Sequence, residues 1–303
     1  MNGYDKLAQL QSMPLEAKVA LSTQRIRQWY DHWHGKVYVA FSGGKDSTVL
    51  LHLVRSLYPE VKAVFVDTGL EYPEIRLFVK SIDNVVWLRP KMAFSEVVRK
   101  YGYPVLGKST AMTIRKLLTQ NLSVRYRNKL MNGDERGTAG KLAEKWKIML
   151  DAPFKISEQC CDVMKKNPIK VFDKEFGLKQ FTGEMASESF NRTKEYNKSG
   201  CNAFDNKIPK SKPLSVWNDC DIWEYIESRA LSYSSIYDTG VKRTGCMFCM
   251  FGVHLEKEPN RFQLMKHSHP KQWDYCINKL GCGEVLDYIG VDYGQQEEFN
   301  FNK

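Results

Sequence analysis

Six consecutive residues, Ser42-Gly43-Gly44-Lys45-Asp46-Ser47, combine glycines, a cation and hydroxyls at a predicted strand-to-helix handover. Glycines there let backbone N–H groups approach a polyanion with no Cβ in the way, and a helix N-terminus adds partial positive charge. Lys45 supplies charge to neutralise phosphate, and Ser42 and Ser47 supply hydroxyl donors. The spacing matches neither GxxxxGK[ST] nor GxGxxG. A tight polar turn is the alternative to an anion cradle.

The eight cysteines form a second chemical set. Cys160-Cys161 and Cys246-x-x-Cys249 are two natural chelates, and four thiolates suit either an iron–sulfur cluster or tetrahedral zinc. Adjacent cysteines are awkward for tetrahedral zinc because neighbouring side chains diverge. A redox pair or merely buried thiols are the remaining readings. Cys201, in Ser199-Gly200-Cys201-Asn202, reads as a substitute ligand, a sulfur-carrying thiol or an incidental loop residue. Cys220 is expected in a helix core, and Cys276 and Cys282 in packing. His267-x-His269 lacks a third nearby ligand and is expected at the surface.

The elements that must position these groups follow from apolar patterning. Leu7, Leu10, Ala17, Leu21, Ile26 and Trp29 fall at helical spacing and predict a helical lead-in over 1–35. Val37-Tyr38-Val39-Ala40-Phe41 reads as a buried strand running into the glycine loop, and 48–54 as the helix after it. Ala63-Val64-Phe65-Val66 is a second strand ending at Asp67-Thr68-Gly69. Pro73 suits the first turn of the next helix, with Ile75, Leu77, Phe78 and Ile82 on its buried side. A strand over 85–88 and a helix over 93–101 follow. Val171-Phe172 and Lys179-Gln180-Phe181-Thr182 return towards sheet, and 217–228 reads as helix. Strands alternating with helices predict an α/β fold with a mostly parallel, doubly wound sheet over 36–230. The stretch 231–303 is a cysteine-rich C-terminal region.

The 303 residues, 43% hydrophobic and 26% charged, support a sizeable core and exclude wholesale disorder. The formal charge of +10 suits a polyanionic partner or substrate. Between 108 and 150, ten Lys and Arg face only Asp134, Glu135 and Glu144, so this basic insert carries most of the surplus. Tyr126 and Trp146 interleave with the cations, as RNA or DNA docking would use them; a solvated helical face is the alternative. No apolar run reaches the roughly 18 residues of a membrane span. With no signal-peptide layout at the N-terminus, a cytoplasmic location is expected, in which the cysteines act as thiols, ligands or redox groups.

Phe41-Ser42-Gly43-Gly44-Lys45-Asp46-Ser47 resembles the PP-loop of the N-type ATP pyrophosphatases, or adenine nucleotide α-hydrolases. Asp67-Thr68-Gly69 resembles that superfamily's sulfate-assimilation branch, which includes reductases of phosphoadenosine phosphosulfate (PAPS) and adenosine phosphosulfate (APS). The implied fold is Rossmann-like and open, with nucleotide at the carboxyl ends of the strands. Cys160-Cys161 followed by Lys165-Lys166-x-Pro168-Ile169 is similar to the cysteine stretch of APS reductases. Thr182-Gly183 with Glu188-Ser189-x-x-Arg192 is similar to their substrate loop. Pro213-Leu214, Trp217, Asp221-Ile222-Trp223 and Tyr225-Ile226 resemble the segment leading to their second cysteine pair, here Thr244-Gly245-Cys246-Met247-Phe248-Cys249. The resemblance implies a [4Fe–4S] cluster on Cys160, Cys161, Cys246 and Cys249. It implies adenine-nucleotide contacts at 42–47, Asp67, Thr68, Gly69, Gly183, Glu188 and Arg192.

Three departures shift the expected chemistry. These reductases carry a nucleophilic cysteine near the C-terminus, whereas this sequence ends Gln295-Gln296-Glu297-Glu298-Phe299-Asn300-Phe301-Asn302-Lys303 and its last cysteine is Cys282. Their loop usually lacks the lysine present here as Lys45. Met185 stands where they have an arginine. Together these favour ATP with Mg²⁺ over PAPS or APS. An acceptor oxygen would attack the α-phosphate, with Lys45 and Asp46 at the reacting end, and sulfur would then displace AMP. The sulfur would be supplied through the cluster or by a cysteine persulfide, with Cys201 a candidate sulfur-carrying thiol and a donor protein as its source. Cluster-bearing enzymes of this superfamily that thiolate tRNA or DNA use similar chemistry. A true PAPS or APS reductase with a thiol reductant is the nearest rival. A non-catalytic nucleotide sensor or nucleic-acid-binding module belongs to a different class.

Overall fold

A computed structural model describes residues 3–134 and 140–294. Glu135 and Arg136 of the basic insert, and the terminal run 295–303, lie outside the described residues. Helices α1 (Gly3–Gln11) and α2 (Leu15–His32) come first. Then follow β1 (Val37–Ala40), α3 (Lys45–Arg55), β2 (Ala63–Val66), α4 (Pro73–Lys80) and β3 (Val85–Leu88). Next are α5 (Phe94–Tyr101), β4 (Val105–Leu106), α6 (Lys108–Thr119) and α7 (Val124–Asn132). After these run α8 (Asn167–Phe176), β5 (Lys179–Thr182), α9 (Phe190–Ser199), β6 (Asn202–Ala203), β7 (Lys210–Ser211) and α10 (Asp219–Ser228). The last are β8 (Met250–Phe251), α11 (Arg261–Ser268), α12 (Pro270–Asp274) and α13 (Cys282–Tyr288).

These elements form two compact units that interleave along the chain. The first comprises Met1–Asp67, Glu71–Arg89 and Asn167–Thr244; the second comprises Thr68–Leu70, Pro90–Lys166 and Gly245–Lys303. The first unit is built on a six-stranded sheet of order β3-β2-β1-β5-β7-β6, parallel except for the β6–β7 pair. This is the open α/β sheet the alternation of strands and helices predicts. Short β-branched and aromatic runs make its strands, and their side chains are the core: Val39, Ala63 and Phe181 are fully buried. Burial of each such Val or Phe contributes about 1.5–3 kcal/mol. The lead-in helix α2 docks Trp29 against Phe181 and Phe204. It also places Lys18 in a buried ion pair with Asp221 of α10 at 2.7 Å.

The second unit contains a two-stranded parallel sheet, β4 with β8, and an isolated parallel bridge between Tyr103 and Ile156. Four sequence expectations are corrected. Val171 and Phe172 lie in α8, not in sheet; Phe172 turns inward against Tyr38 while Val171 faces solvent. Leu77 is exposed because Ile75, Phe78 and Val79 already fill the buried face of α4. Cys220 is exposed, since α10 buries Asp221, Ile222, Tyr225 and Ile226 instead. His269, expected at the surface, is buried, with Nδ1 2.9 Å from the Ser268 hydroxyl. Cys276 and Cys282 are fully buried, as packing residues should be.

Candidate active site and cysteine centre

In the first unit the chain winds outward from β1 to β2 and β3, then returns to β5 on the other side of β1. That reversal opens a crevice at the carboxyl ends of β1 and β5, where open α/β sheets bind ligands. The 42–47 loop leaves β1 into this crevice, and Gly183 leaves β5 beside it, so close that a Cβ there would stand 3.2 Å from the Asp46 and Ser47 backbone. Gly43 has φ +73°, and a Cβ there would meet Val79 at 2.6 Å and Ile75 at 2.9 Å, so conformation and space both demand glycine.

Lys45 opens α3 and is nearly inaccessible to water. Its Nζ lies 3.0 Å from Asp46 and 2.5 Å from Asp219. Burial works against the charge, but Asp46 and Asp219 outweigh it and hold the ammonium above the usual lysine range. The Ser42 and Ser47 hydroxyls stand 3.1 Å apart, and Ser47 also donates to the Gly44 carbonyl at 2.8 Å. Asp67, buried at the end of β2, accepts from Arg76 at 2.8 Å, with Arg89 at 3.9 Å. The chain passes into the second unit at Thr68 and Gly69; there the Thr68 hydroxyl accepts from the Leu70 N–H.

Glu188 and Arg192 pair with each other, and Glu188 also accepts from Arg243 at 3.2 Å and from the Met185 N–H at 3.1 Å. Both arginines therefore face a carboxylate. Met185 is buried in the core. Asp219, Arg76, Arg243 and Tyr237 escaped the sequence reading. Asp219 and Tyr237 lie 174 and 192 positions from Lys45, and no local spacing announces them.

In the second unit one short stretch of chain gathers both cysteine pairs. Tyr103 bridges Ile156, four residues before Cys160, and β4 pairs with β8, which begins directly after Cys249. Met247 and Phe248 are buried, and Cys246 and Cys249 flank them half-buried. Arg261 donates to the Cys249 carbonyl at 3.0 Å and pairs with Glu256, pinning that turn. Burial pushes the Cys160 thiol up, and the neighbouring Cys161, Cys246 and Cys249 push it further. Burial likewise raises Cys249, with a smaller contribution from Cys161. The Cys160 thiol thus lies near enough to the other three to feel their charge. Among the described residues no three His, Cys, Asp or Glu side chains form a group that could hold a metal ion as they stand, His267 and His269 included.

Cys201 belongs to the first unit, apart in the chain's organisation from those four. It precedes the edge strand β6 and borders a cavity of about 340 Å³ lined in part by Arg25, Tyr196 and Phe204. Burial raises its thiol, while Arg25, Ser215 and Lys212 act the other way. In the basic insert, Arg115 is committed to Glu158 at 2.6 Å and Lys147 to Glu144 at 2.8 Å. Lys108, Lys116 and Lys145 lie over the rings of Phe251, Tyr126 and Trp146.

The sequence pattern of the phosphoadenosine phosphosulfate reductase domain matches residues 36–111 and 108–251, well over half of the chain. The chain belongs to this family. Two uncharacterised proteins of Methanocaldococcus jannaschii are 26% and 25% identical over 84% and 88% of the chain, which spans 43% and 52% of their length. An adenosine 5'-phosphosulfate reductase of Bacillus cereus is 22% identical over 78% of this chain and 82% of its own. Among solved structures, a PAPS reductase of Candida auris aligns with a TM-score of 0.45 at 17% identity, covering 78% of this chain and 96% of that one. The FMN adenylyltransferase of Candida glabrata aligns at 0.44 and 11%, covering 80% and 68%. No helix among the described residues is long and apolar enough to cross a membrane.

Proposed function

We propose that the chain uses ATP to activate an acceptor for sulfur transfer, releasing pyrophosphate and AMP. Lys45 carries this reading: a buried ammonium, kept charged at the first turn of α3, faces the place where phosphate charge would collect. An acceptor oxygen attacks the α-phosphorus, and the bond to the pyrophosphate oxygen breaks. Lys45 and the loop N–H groups stabilise the charge on the departing pyrophosphate, and the Ser42 and Ser47 hydroxyls donate to it. The Mg²⁺ that accompanies ATP would draw on Asp46 and Asp219, carboxylates already at the loop. Asp67, with Gly183 across the crevice, would contact the nucleotide. A sulfur nucleophile then displaces AMP. Cys201 is the proposed carrier thiol: it takes sulfane sulfur from a donor protein's persulfide, its outer sulfur displaces AMP, and a thiol reductant cleaves the resulting disulfide to free the thiolated acceptor; Arg25 and Lys212 offset part of the burial cost.

Cys160, Cys161, Cys246 and Cys249 fit a [4Fe–4S] cluster better than zinc. Cys160 feels the charge of the other three thiols, and adjacent cysteines with diverging side chains suit a bulky cubane better than one tetrahedral ion. The four iron corners of a cubane hold their thiolates further apart than one tetrahedral ion does. When bound, such a cluster supplies redox-active iron and a site for sulfur. Anaerobically purified protein is expected to hold about four iron and four acid-labile sulfide per chain. Cys160→Ser and Cys249→Ser should lose both, and iron-free wild-type protein would exclude the cluster. The proposed acceptor is RNA or DNA, docked by the basic insert. Equal yields of AMP and pyrophosphate from ATP, increased by added nucleic acid, are the expected signature.

The APS reductases among its relatives favour a second reading, reduction of APS or PAPS to sulfite by a thiol reductant. Met185, buried where an anion-binding arginine would be needed, weighs against it.

A further inference from the structure

We propose that Tyr237 is a latch on the glycine loop: its hydroxyl holds the Lys45 amide until the pyrophosphate end of a nucleotide displaces it. This deepens the ATP reading and rests on it. The first N–H groups of a helix have no intrahelical acceptor, and they are the donors a bound phosphate uses. Lys45 is the first residue of α3, and Gly44 before it has no side chain to cap the helix. The Lys45 N–H is nevertheless satisfied, because it donates to the Tyr237 hydroxyl oxygen at 2.9 Å. That oxygen also shares a hydrogen bond with the Thr244 hydroxyl at 3.1 Å. A Cβ on Gly44 would stand 2.9 Å from the Thr244 oxygen and 3.2 Å from the Tyr237 oxygen, so both hydroxyls close over the loop.

The latch is held from behind. The 3₁₀ turn Ser235–Thr239 carries Tyr237 and packs against α4, and the Trp223 indole meets the Tyr237 ring edge-on at 5.5 Å. One N–H cannot donate at full strength to two acceptors, so a phosphate oxygen seated on Lys45 N–H has to turn the Tyr237 hydroxyl away. Pyrophosphate is multiply charged and engages both the Lys45 ammonium and its amide, which offsets that loss. A ligand that puts no charge on this amide leaves the latch closed. Tyr237 is therefore a positioning residue that weakens the seating of pyrophosphate on this amide and leaves AMP unaffected.

The test is calorimetric titration of the full chain with inorganic pyrophosphate, and separately with AMP, for wild type, Tyr237→Phe and Thr244→Val. Tyr237→Phe keeps the ring against Trp223 and removes only the competing oxygen. It is expected to bind pyrophosphate about three- to tenfold tighter than wild type, the worth of one ordinary hydrogen bond. Thr244→Val, which removes the latch's second partner, should shift affinity in the same direction, and AMP affinity should not move in either variant. Equal or weaker pyrophosphate binding by both variants, with wild type binding normally, would overturn the latch alone. If wild type and variants all fail to bind pyrophosphate, the ATP reading falls with it.

Discussion

Lys45 keeps its charge where water scarcely reaches, because Asp46 and Asp219 stand within 3.0 Å of its ammonium. Its pKa in the folded chain is raised. The associated stabilisation is therefore complete below the unfolded value and fades only as pH climbs through the folded one. Pyrophosphate release should accordingly show no alkaline limb from Lys45 below the ordinary lysine value of about 10.4. Lys45→Ala is expected to slow that release by about 10²–10³-fold. A release rate unchanged by the substitution would remove Lys45 from the chemistry. At this scale the loop was legible, since glycines, lysine and serines sit together in six positions. Asp219 and Tyr237 were not, because they reach the loop only through folding of the chain.

Elements show where local patterning speaks for itself and where tertiary context overrides it. β1, β2, β3 and β5 were legible as short β-branched and aromatic runs, and Pro73 did mark the first turn of α4. Val171-Phe172 misled because the pair has strand propensity. Ile169 and Phe172, three apart, give α8 its packed face against Tyr38 and Val64 instead. Lys18 and Asp221 were invisible as a pair, being 203 positions apart, yet they join α2 to α10 inside the core. Asp221 also accepts from the Asn218 N–H at 2.6 Å, capping α10. Lys18→Met leaves that carboxylate buried without its cation and should cost about 3–5 kcal/mol in chemical denaturation. Lys18→Met with Asp221→Leu should recover part of the loss; equal costs for the single and double variants would deny the pairing its role.

Across the whole molecule, composition announced a polyanionic partner without placing it. The segment 108–150 holds ten of the 45 Lys and Arg and three of the 35 Asp and Glu, and its cations belong to the unit that also carries the four paired cysteines. The short strand β4 and the Tyr103–Ile156 bridge, which bring the chain near both cysteine pairs together, carry no spacing signal, so a shared site was legible only through the resemblance. Lys116, Arg125 and Lys129 together offer the clearest test of docking. Replacing all three with Glu should weaken binding of labelled RNA or DNA and reduce the slope of log affinity against log salt by about 2–3, if each meets one phosphate. An unchanged slope would assign these cations to solvent.

The central claim is that ATP, not a sulfonucleotide, is the substrate of the glycine loop. Its most direct test follows pyrophosphate and sulfite in parallel from anaerobically prepared protein supplied with ATP, PAPS or APS, with a thiol reductant and with or without RNA or DNA. Pyrophosphate released from ATP, increased by nucleic acid and lost in Lys45→Ala, with no sulfite from PAPS or APS, is the expected result. Sulfite from either sulfonucleotide, with no pyrophosphate from ATP, would contradict it.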